Sequence, residues 1–358
     1  MVYDRGTKGL FVSPQGGVYM KILKEWGQIF RVGEWYDSKV PMLLLPALYI
    51  MIIEGTASAE HALGNVILLL IFDSVFLAFG YLINDYADMD VDKKAGKEKV
   101  IHRFSVKVSL FIVIASVILG CLPVLVVSHE WKTVLVLGII YFFGGSYSAP
   151  PLRFKERGVF GLIVSSTAQR CFPLLLIPVL SGTSVDAEYV LWMLLSFCVG
   201  IRYILVHQYI DAENDQKTGV QTYAIQHQSE VAILIKCAFV AELVLIIVLL
   251  APICREYWWT NMFWICYVFL SLIRWRGCKM VYGHGGLYSF DQVPLEDFYN
   301  HFLPLIFVIL LMQQDLKWCV LFVTWMGILL RPAIRHLEFP VKIWKNRRRE
   351  REDKIYER

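Results

Sequence analysis

Ten apolar stretches recur along the 358-residue chain, at 40–56, 62–83, 104–127, 132–147, 159–181, 188–210, 230–252, 256–273, 300–314 and 317–333. Most approach or exceed the roughly 20 apolar residues that cross the hydrocarbon core of a bilayer. A chain built this way has few choices. Inside lipid every backbone N–H and C=O must find a partner within the protein, and long apolar segments achieve that as helices. The spacing predicts an all-α, polytopic membrane bundle. Composition agrees, with 57% apolar and 18% charged residues and a mean hydropathy of +0.52. An ordinary soluble domain is about 45–50% apolar and about 25% charged. A disordered chain, a soluble globule and a basic nucleic-acid binder are excluded. No nucleic-acid partner is expected.

Charge placement tests the count of spans. With ten spans and an inside amino terminus, 29 of the 35 Lys and Arg residues fall on inside segments. Three fall on outside loops (Lys132, Arg255, Lys317) and three within spans (Arg170, Arg202, Lys236). That asymmetry is what the positive-inside rule demands. Nine spans would place the basic tail outside, so ten spans with both termini cytosolic are expected. The chain divides into a cytosolic or interfacial segment 1–39, a membrane domain 40–336 and a basic tail 337–358. From Met20, Ile22, Trp26, Ile29 and Phe30 recur at helical spacing between lysines and arginines. This is an amphipathic helix that lies on the membrane or packs on the protein's own inner face. The eight cysteines form no CxxC pair and no metal-ligand spacing, and read as small packing residues.

The informative residues lie on the inside loops. At about 100° per helical residue, Asp85, Asp88 and Asp92 share one narrow helix face, and Asp90 points away. Asp211 and Asp215 lie about 40° apart by the same rule, with His207 and Tyr203 continuing their stripe and Glu213 opposite. Two carboxylate stripes at the inner ends of two helices repel within themselves and call for a hard cation such as Mg²⁺, held by few carboxylates plus substrate phosphates. A solvated acidic loop is the alternative for either stripe taken alone. Between them, Tyr147-Ser148-Ala149-Pro150-Pro151-Leu152-Arg153 leads into Lys155 and Arg157. The prolines stiffen the exit from the fourth span, and the cations add positive charge on the acidic side. Lys39, just before the first span, is a further candidate for diphosphate contact or a snorkelling anchor. His207 could hold a metal-bound water or accept a proton, or be a buried structural histidine.

With those residues in view, the chain resembles the UbiA-type intramembrane prenyltransferases. Asn84-Asp85-x-x-Asp88-x-x-x-Asp92 is similar to that family's first Asp-rich motif. Asp211-x-x-x-Asp215, followed by Gly219 and Thr222, is similar to its second. The loop Tyr147–Arg153 resembles that of the chlorophyll-synthase-like branch. The resemblance spans about residues 30–250. It implies a nine-helix core, here with a tenth span, around a central cavity open to lipid. It implies Mg²⁺ at Asp85, Asp88, Asp211 and Asp215, with Asp92 also catalytic. Asn84, Tyr147 and Arg153 would then serve a prenyl diphosphate donor, whose ionisation alkylates a lipophilic acceptor delivered from membrane lipid. The family's Asn-x-x-x-Arg-Pro stretch is missing after the first motif, which leaves the acceptor class open. Terpene cyclisation, phosphoribosyl transfer to a polyprenyl phosphate, and cation-coupled transport are the competing readings.

Charges deep in the spans complete the picture. Asp73 and Arg170 lie roughly 15–17 Å below the inner surface, counting 1.5 Å per residue. Buried charges at that depth pair or line a polar cavity. Asp73 shares the face of Asn84, so Asp73 and Arg170 are expected to pair across the cavity floor and shape the acceptor pocket. A purely structural pair of Arg170 with Glu242 is the alternative.

Overall fold

The computed structural model describes residues 18–56, 58–94, 96–218, 221–278 and 295–334; side chains at 18–23, 213–215, 217–218 and 274–278 are outside that description. Every regular element among them is helical. A short amphipathic helix, α1 (Val18–Ile29), is followed by α2 (Val40–Glu54), α3 (Ala59–Ala87), α4 (Met89–Lys94), α5 (Val106–Val127) and α6 (Trp131–Ser146). Then come α7 (Val159–Ser166), α8 (Leu176–Ser181), α9 (Ala187–Thr218), α10 (Tyr223–Gln226), α11 (Gln228–Glu256), α12 (Thr260–Cys278), α13 (Leu303–Gln314) and α14 (Leu316–Ile334).

Six helical stretches are long and apolar enough to cross a membrane: α3, α5, the α7–α8 run Val159–Ser181, the Ala187–Ala212 part of α9, α11 and α14. Four shorter apolar helices, α2, α6, Thr260–Ile273 and Phe298–Gln314, match the remaining stretches of the sequence. The chain is an integral membrane protein. Its outer faces fit lipid. Phe111, Val126, Ile247, Ile265 and Phe269 are among the most exposed large apolar side chains, which in water would be an aggregation hazard. The basic tail 337–358, residues 1–17 and Gly219 lie outside the described residues.

Ring packing and small residues hold the bundle. Tyr141 meets Phe72, Phe76 and Phe79 edge-on, with centroids 5.0–6.2 Å apart. Gly200 of α9 lies against α7 so closely that a Cβ there would sit 2.9 Å from Ser166 Cα. Such close backbone approach is how membrane helices gain dispersion contact without a hydrophobic drive.

Three departures from the sequence expectation affect the site. α3 does not run through the first Asp-rich stretch. It ends at Ala87 with Asp88 as its C-cap, and α4 starts at Met89. The 159–181 stretch is not one regular helix either. It carries a π-helical turn, Thr167–Cys171, and a 3₁₀ turn, Pro173–Leu175. A second π-turn, Phe298–Phe302, precedes α13. Each π-turn advances the chain by an extra residue, so helical-wheel positions beyond it are displaced.

Candidate active site

α3 and α9 are 29 and 32 residues long. At 1.5 Å per residue, α9 spans about 48 Å. It therefore outruns the apolar core and carries Asp211 beyond it, while the end of α3 delivers Asn84, Asp85 and Asp88.

The carboxylates of the first motif are held by cations from two separate segments. Arg31, just after α1, donates through Nη1 to Asp85 Oδ1 at 3.1 Å. Arg153 donates through Nη2 to Asp88 Oδ1 at 2.8 Å, and Lys155 donates to the other oxygen, Asp88 Oδ2. Lys155 also reaches Asn84 Oδ1 at 3.2 Å, which accepts a second bond from Ser148 Oγ at 2.9 Å. Arg31 and Arg153 both adopt left-handed backbone, with φ of 50° and 41°. That conformation is uncommon for non-glycine residues and costs free energy. Here it turns both guanidinium groups onto the motif. The Pro150–Pro151 bond is cis, and Tyr147 caps α6 with its carbonyl accepting from Lys155 N–H at 3.0 Å.

Electrostatics follow from this crowding. Burial pushes the Asp92 carboxyl above its ordinary range, with Asp88 and Asp85 adding to the rise and Lys99 opposing it. Burial draws the Lys155 ammonium below its usual value, and Asp88 partly restores it. Burial also acts to lower Arg153, but Glu156 and Asp88 outweigh it and hold the guanidinium above its usual value. Asp90 is exposed, off the shared carboxylate cluster.

His102 was not singled out by the sequence. Its Nδ1 accepts from Lys99 N–H at 3.4 Å, so its Nε2–H donates to the Asp85 carbonyl at 3.0 Å. The same nitrogen is 3.9 Å from Asp92 Oδ2. Arg31 likewise carries no motif of its own, and only proximity in the fold reveals it. Ser148 and Lys155 lie in the proline-containing loop that the sequence already marks, but their bonds to Asn84 and Asp88 are visible only in the fold.

The opposite wall is α9. His207 Nε2 lies 3.5 Å from Asp211 Oδ2, one turn apart, and both side chains are open, at 72% and 42% exposure. Lys39 and Arg31 lie within electrostatic reach of His207, so the two motifs face a common positive rim. The Asp215 and Glu213 side chains lie outside the described residues. Lys39 donates to Gln169 Oε1 at 3.1 Å and stands 4.9 Å from the Tyr81 ring, which Arg31 also covers at 4.6 Å.

The deep charges pair differently from expectation. Arg202 forms a bidentate ion pair with Glu242, at 2.7 and 2.8 Å, and both side chains are buried. Arg170 pairs with neither Asp73 nor Glu242. It contacts Met42 Sδ and the Tyr203 ring. Asp73 is buried on α3 beside Tyr141, with Oδ1 lacking a hydrogen-bond partner. Angular stepping along one helix says which way a side chain points, not which neighbour arrives there. The π-turn at 167–171 displaces Arg170 as well.

The donor set suits Mg²⁺. Hard carboxylate oxygens are gathered at the end of α3, Asp92 responds to the charge of Asp85 and Asp88, and Asp211 is open opposite. Among the described residues no three acidic, His or Cys side chains converge tightly enough to hold a metal alone. Mg²⁺ characteristically takes only one or two carboxylates and completes its shell with phosphate and water. The carboxylates at the end of α3 and Asp211 are hard oxygen donors that fit such a shell.

Comparison with known proteins gives the family and the fold. The UbiA prenyltransferase family profile matches residues 43–284. The chain is 24% identical over 236 residues to the polyprenyl transferases prhE and ausN of Penicillium brasilianum, covering 62% of this chain and 72% of each relative. Its fold is similar to a UbiA homologue from Archaeoglobus fulgidus solved with DMAPP and Mg²⁺, with a TM-score of 0.58 and 17% identity over 80% of this chain and 98% of that one. A UbiA homologue from Aeropyrum pernix K1 gives 0.52 and 12% identity, over 76% of this chain and 97% of that one. With the family profile covering more than half its length, the chain belongs to the UbiA prenyltransferase family.

Proposed function

We propose that this protein transfers an isoprenyl group from a prenyl diphosphate to a lipophilic acceptor that enters from the membrane, in a Mg²⁺-dependent reaction. The observation that carries the reading is the Asp88 clamp between Arg153 and Lys155, beside the Arg31–Asp85 pair. Acid and base interleave there, as neutralising a diphosphate together with a divalent cation would require.

Asp85, Asp88, Asp211 and Asp215 would hold the metal, which would supply charge neutralisation to the diphosphate, with Asp92 in the same carboxylate cluster. Arg31, Lys39, Arg153 and Lys155 bind the diphosphate oxygens, where negative charge grows as the allylic C–O bond breaks. The bonding pair leaves with diphosphate. The electron-poor carbon passes to the acceptor, which forms the new bond and releases one proton. Tyr81 carries Arg31 and Lys39 against its ring and so helps hold the cationic rim in place, and Tyr203 lies against Arg170. Asn84, held by Ser148 and Lys155, and Tyr147, at the base of the cationic loop, position that wall. His207 is placed to take the released proton or orient water near Asp211. The loops 84–105 and 147–158 and both termini face the cytosol in this reading.

The test is to give the purified protein labelled geranyl, farnesyl and geranylgeranyl diphosphates, with and without Mg²⁺ and candidate acceptors. Mg²⁺-dependent diphosphate release with a prenylated product supports the proposal. A cyclic hydrocarbon formed without acceptor, or no turnover of any donor, overturns it.

A further inference from the structure

Cations gather in two groups around the first Asp-rich motif. Arg31, Arg153 and Lys155 are taken up by Asp85, Asp88 and Glu156. The segment that follows the motif is different. Residues 93–107 carry six Lys and Arg against one acid, Glu98. Lys93, Lys94, Lys97, Arg103 and Lys107 are exposed. Among the described residues none of these five makes an ion pair.

The position of these cations matches a lipid surface. Lys107 lies in the first turn of α5, and Phe111, Ile114 and Ile118 further along α5 are exposed apolar side chains. At 1.5 Å per residue, Phe111 stands about 6 Å deeper than Lys107 along the helix. The cations therefore lie where headgroups meet hydrocarbon. Phe104 and Val106 are exposed between Arg103 and Lys107. α1 packs on the same segment, with Lys24 exposed and Trp26 48% exposed. Apolar side chains interleaved with cations suit an interface with anionic headgroups. A soluble phosphate would satisfy the cations but would leave Phe104, Val106 and Trp26 in water.

The same segment reaches the site. Its 3₁₀ turn, Val100–Arg103, packs against α3 with Ile101 buried. Ser109 Oγ of α5 donates to the Ile101 carbonyl at 3.2 Å. His102, the neighbour of Arg103, donates to the Asp85 carbonyl at 3.0 Å. That carbonyl lies in the last turn of α3, where helical N–H partners run out. His102 thus secures the backbone that presents Asp85, and a basic flank that only fixed topology would need no such link.

We infer that anionic phospholipids of the adjoining leaflet dock on residues 93–107 beside α1, and that this docking holds the turn carrying His102 against Asp85. The docking stands without the prenyltransferase reading, whereas its effect on metal binding rests on that reading.

The test places the full-length protein in nanodiscs of phosphatidylcholine with a graded fraction of phosphatidylserine. Native mass spectrometry reads which lipid the protein retains on release, and diphosphate release from a labelled prenyl diphosphate is titrated with Mg²⁺. The wild type should retain phosphatidylserine over phosphatidylcholine, and its half-saturating Mg²⁺ should fall several-fold as phosphatidylserine rises. The double variant Arg103→Gln, Lys107→Gln should weaken that retention by about fivefold for each cation removed, the scale of one Lys or Arg at an anionic surface. It should match the wild type in phosphatidylcholine alone and lose the response to phosphatidylserine. Either single variant carries the test if the double variant does not accumulate. Equal retention of the two lipids, or retention unchanged in the double variant, overturns the docking. Mg²⁺ merely gathering at an anionic surface would shift both proteins equally, and that result overturns the link to His102. A response reproduced by inorganic phosphate in phosphatidylcholine discs, or a raised donor KM of the double variant in those discs, assigns the cations to a soluble anion and overturns the inference. If no donor releases diphosphate in any lipid, the prenyltransferase reading and the link to metal binding fall together, and lipid retention alone decides the docking.

Discussion

The two Asp-rich ends meet the same rim in opposite states. At the end of α3, Asp85 and Asp88 are gripped by Arg31, Arg153 and Lys155, and His102 fixes the backbone behind them. At the end of α9, Asp211 has His207 as a neighbour one turn away, and its side chain is 42% exposed. On the function proposed above, the difference teaches how a metal–diphosphate site can be pre-organised. One end keeps its carboxylates and cations already interleaved, so little reorganisation is needed when a diphosphate brings negative charge. The other end can wait for the metal.

Removing a carboxylate from either end breaks that comparison most severely. Asp88→Asn and Asp211→Asn are each expected to lower kcat/KM by about 100- to 1,000-fold, the scale of losing a preorganised electrostatic group, while the protein still accumulates in membranes. Exposed Asp90 is the control, and Asp90→Asn should change activity by less than about twofold, because surface changes outside named interactions are near neutral. Equal loss in Asp88→Asn and Asp90→Asn would show that net loop charge matters and not the cluster.

Next in size are the clamp cations. Lys155→Met and Arg153→Gln should each raise the donor KM by roughly 10- to 100-fold, as expected for charge-assisted bonds. Either change confined to kcat would mean that the cation meets the charge that grows in the transition state and not the bound donor, and no change in either parameter would remove the loop 153–157 from the site.

A smaller effect tests how the walls are joined. Gly200→Ala forces a Cβ against Ser166 Cα and should cost about 1–3 kcal/mol, the usual penalty of overpacking. Thermal unfolding in detergent reads it. An unchanged melting temperature would mean that α7 and α9 are less tightly joined than their 2.9 Å approach indicates.

Arg31→Gln should have the mildest effect and opposite signs on two axes. Freed of its 3.1 Å partner, Asp85 should saturate with less Mg²⁺, while the donor binds a few-fold more weakly for want of one cation. A titration of Mg²⁺ at saturating donor separates the two.

Much of the architecture was legible because lipid imposes a strong pattern. Each apolar stretch in the sequence corresponds to an apolar helical stretch, and the amphipathic run after Met20 falls on α1. The carboxylates of the candidate site could be found from spacing, and His207 does stand beside Asp211. Of their partners, Arg153 and Lys155 could be read from the loop after the fourth span, while Arg31 and His102 could not. Arg31 is separated from Asp85 by 54 positions and lies in a turn whose left-handed backbone leaves no local signature. His102 follows the motif without an obvious pattern. The expected Asp73–Arg170 pair, and its alternative of Arg170 with Glu242, are both absent because charge inventory cannot tell which arginine meets which carboxylate, and a π-turn displaces Arg170. Helical stepping also fails at Asp88, where α3 ends.

The most direct test of the account is whether donor ionisation depends on Mg²⁺ through both Asp-rich ends. Diphosphate release from a labelled prenyl diphosphate should be followed against Mg²⁺ concentration for the wild type, Asp88→Asn, Asp211→Asn and Asp215→Asn. The account predicts release that requires Mg²⁺ in the wild type and collapses in all three variants, including Asp215→Asn. Mg²⁺-independent release, or full release by the Asp211→Asn and Asp215→Asn variants, would contradict a metal–diphosphate site shared between α3 and α9.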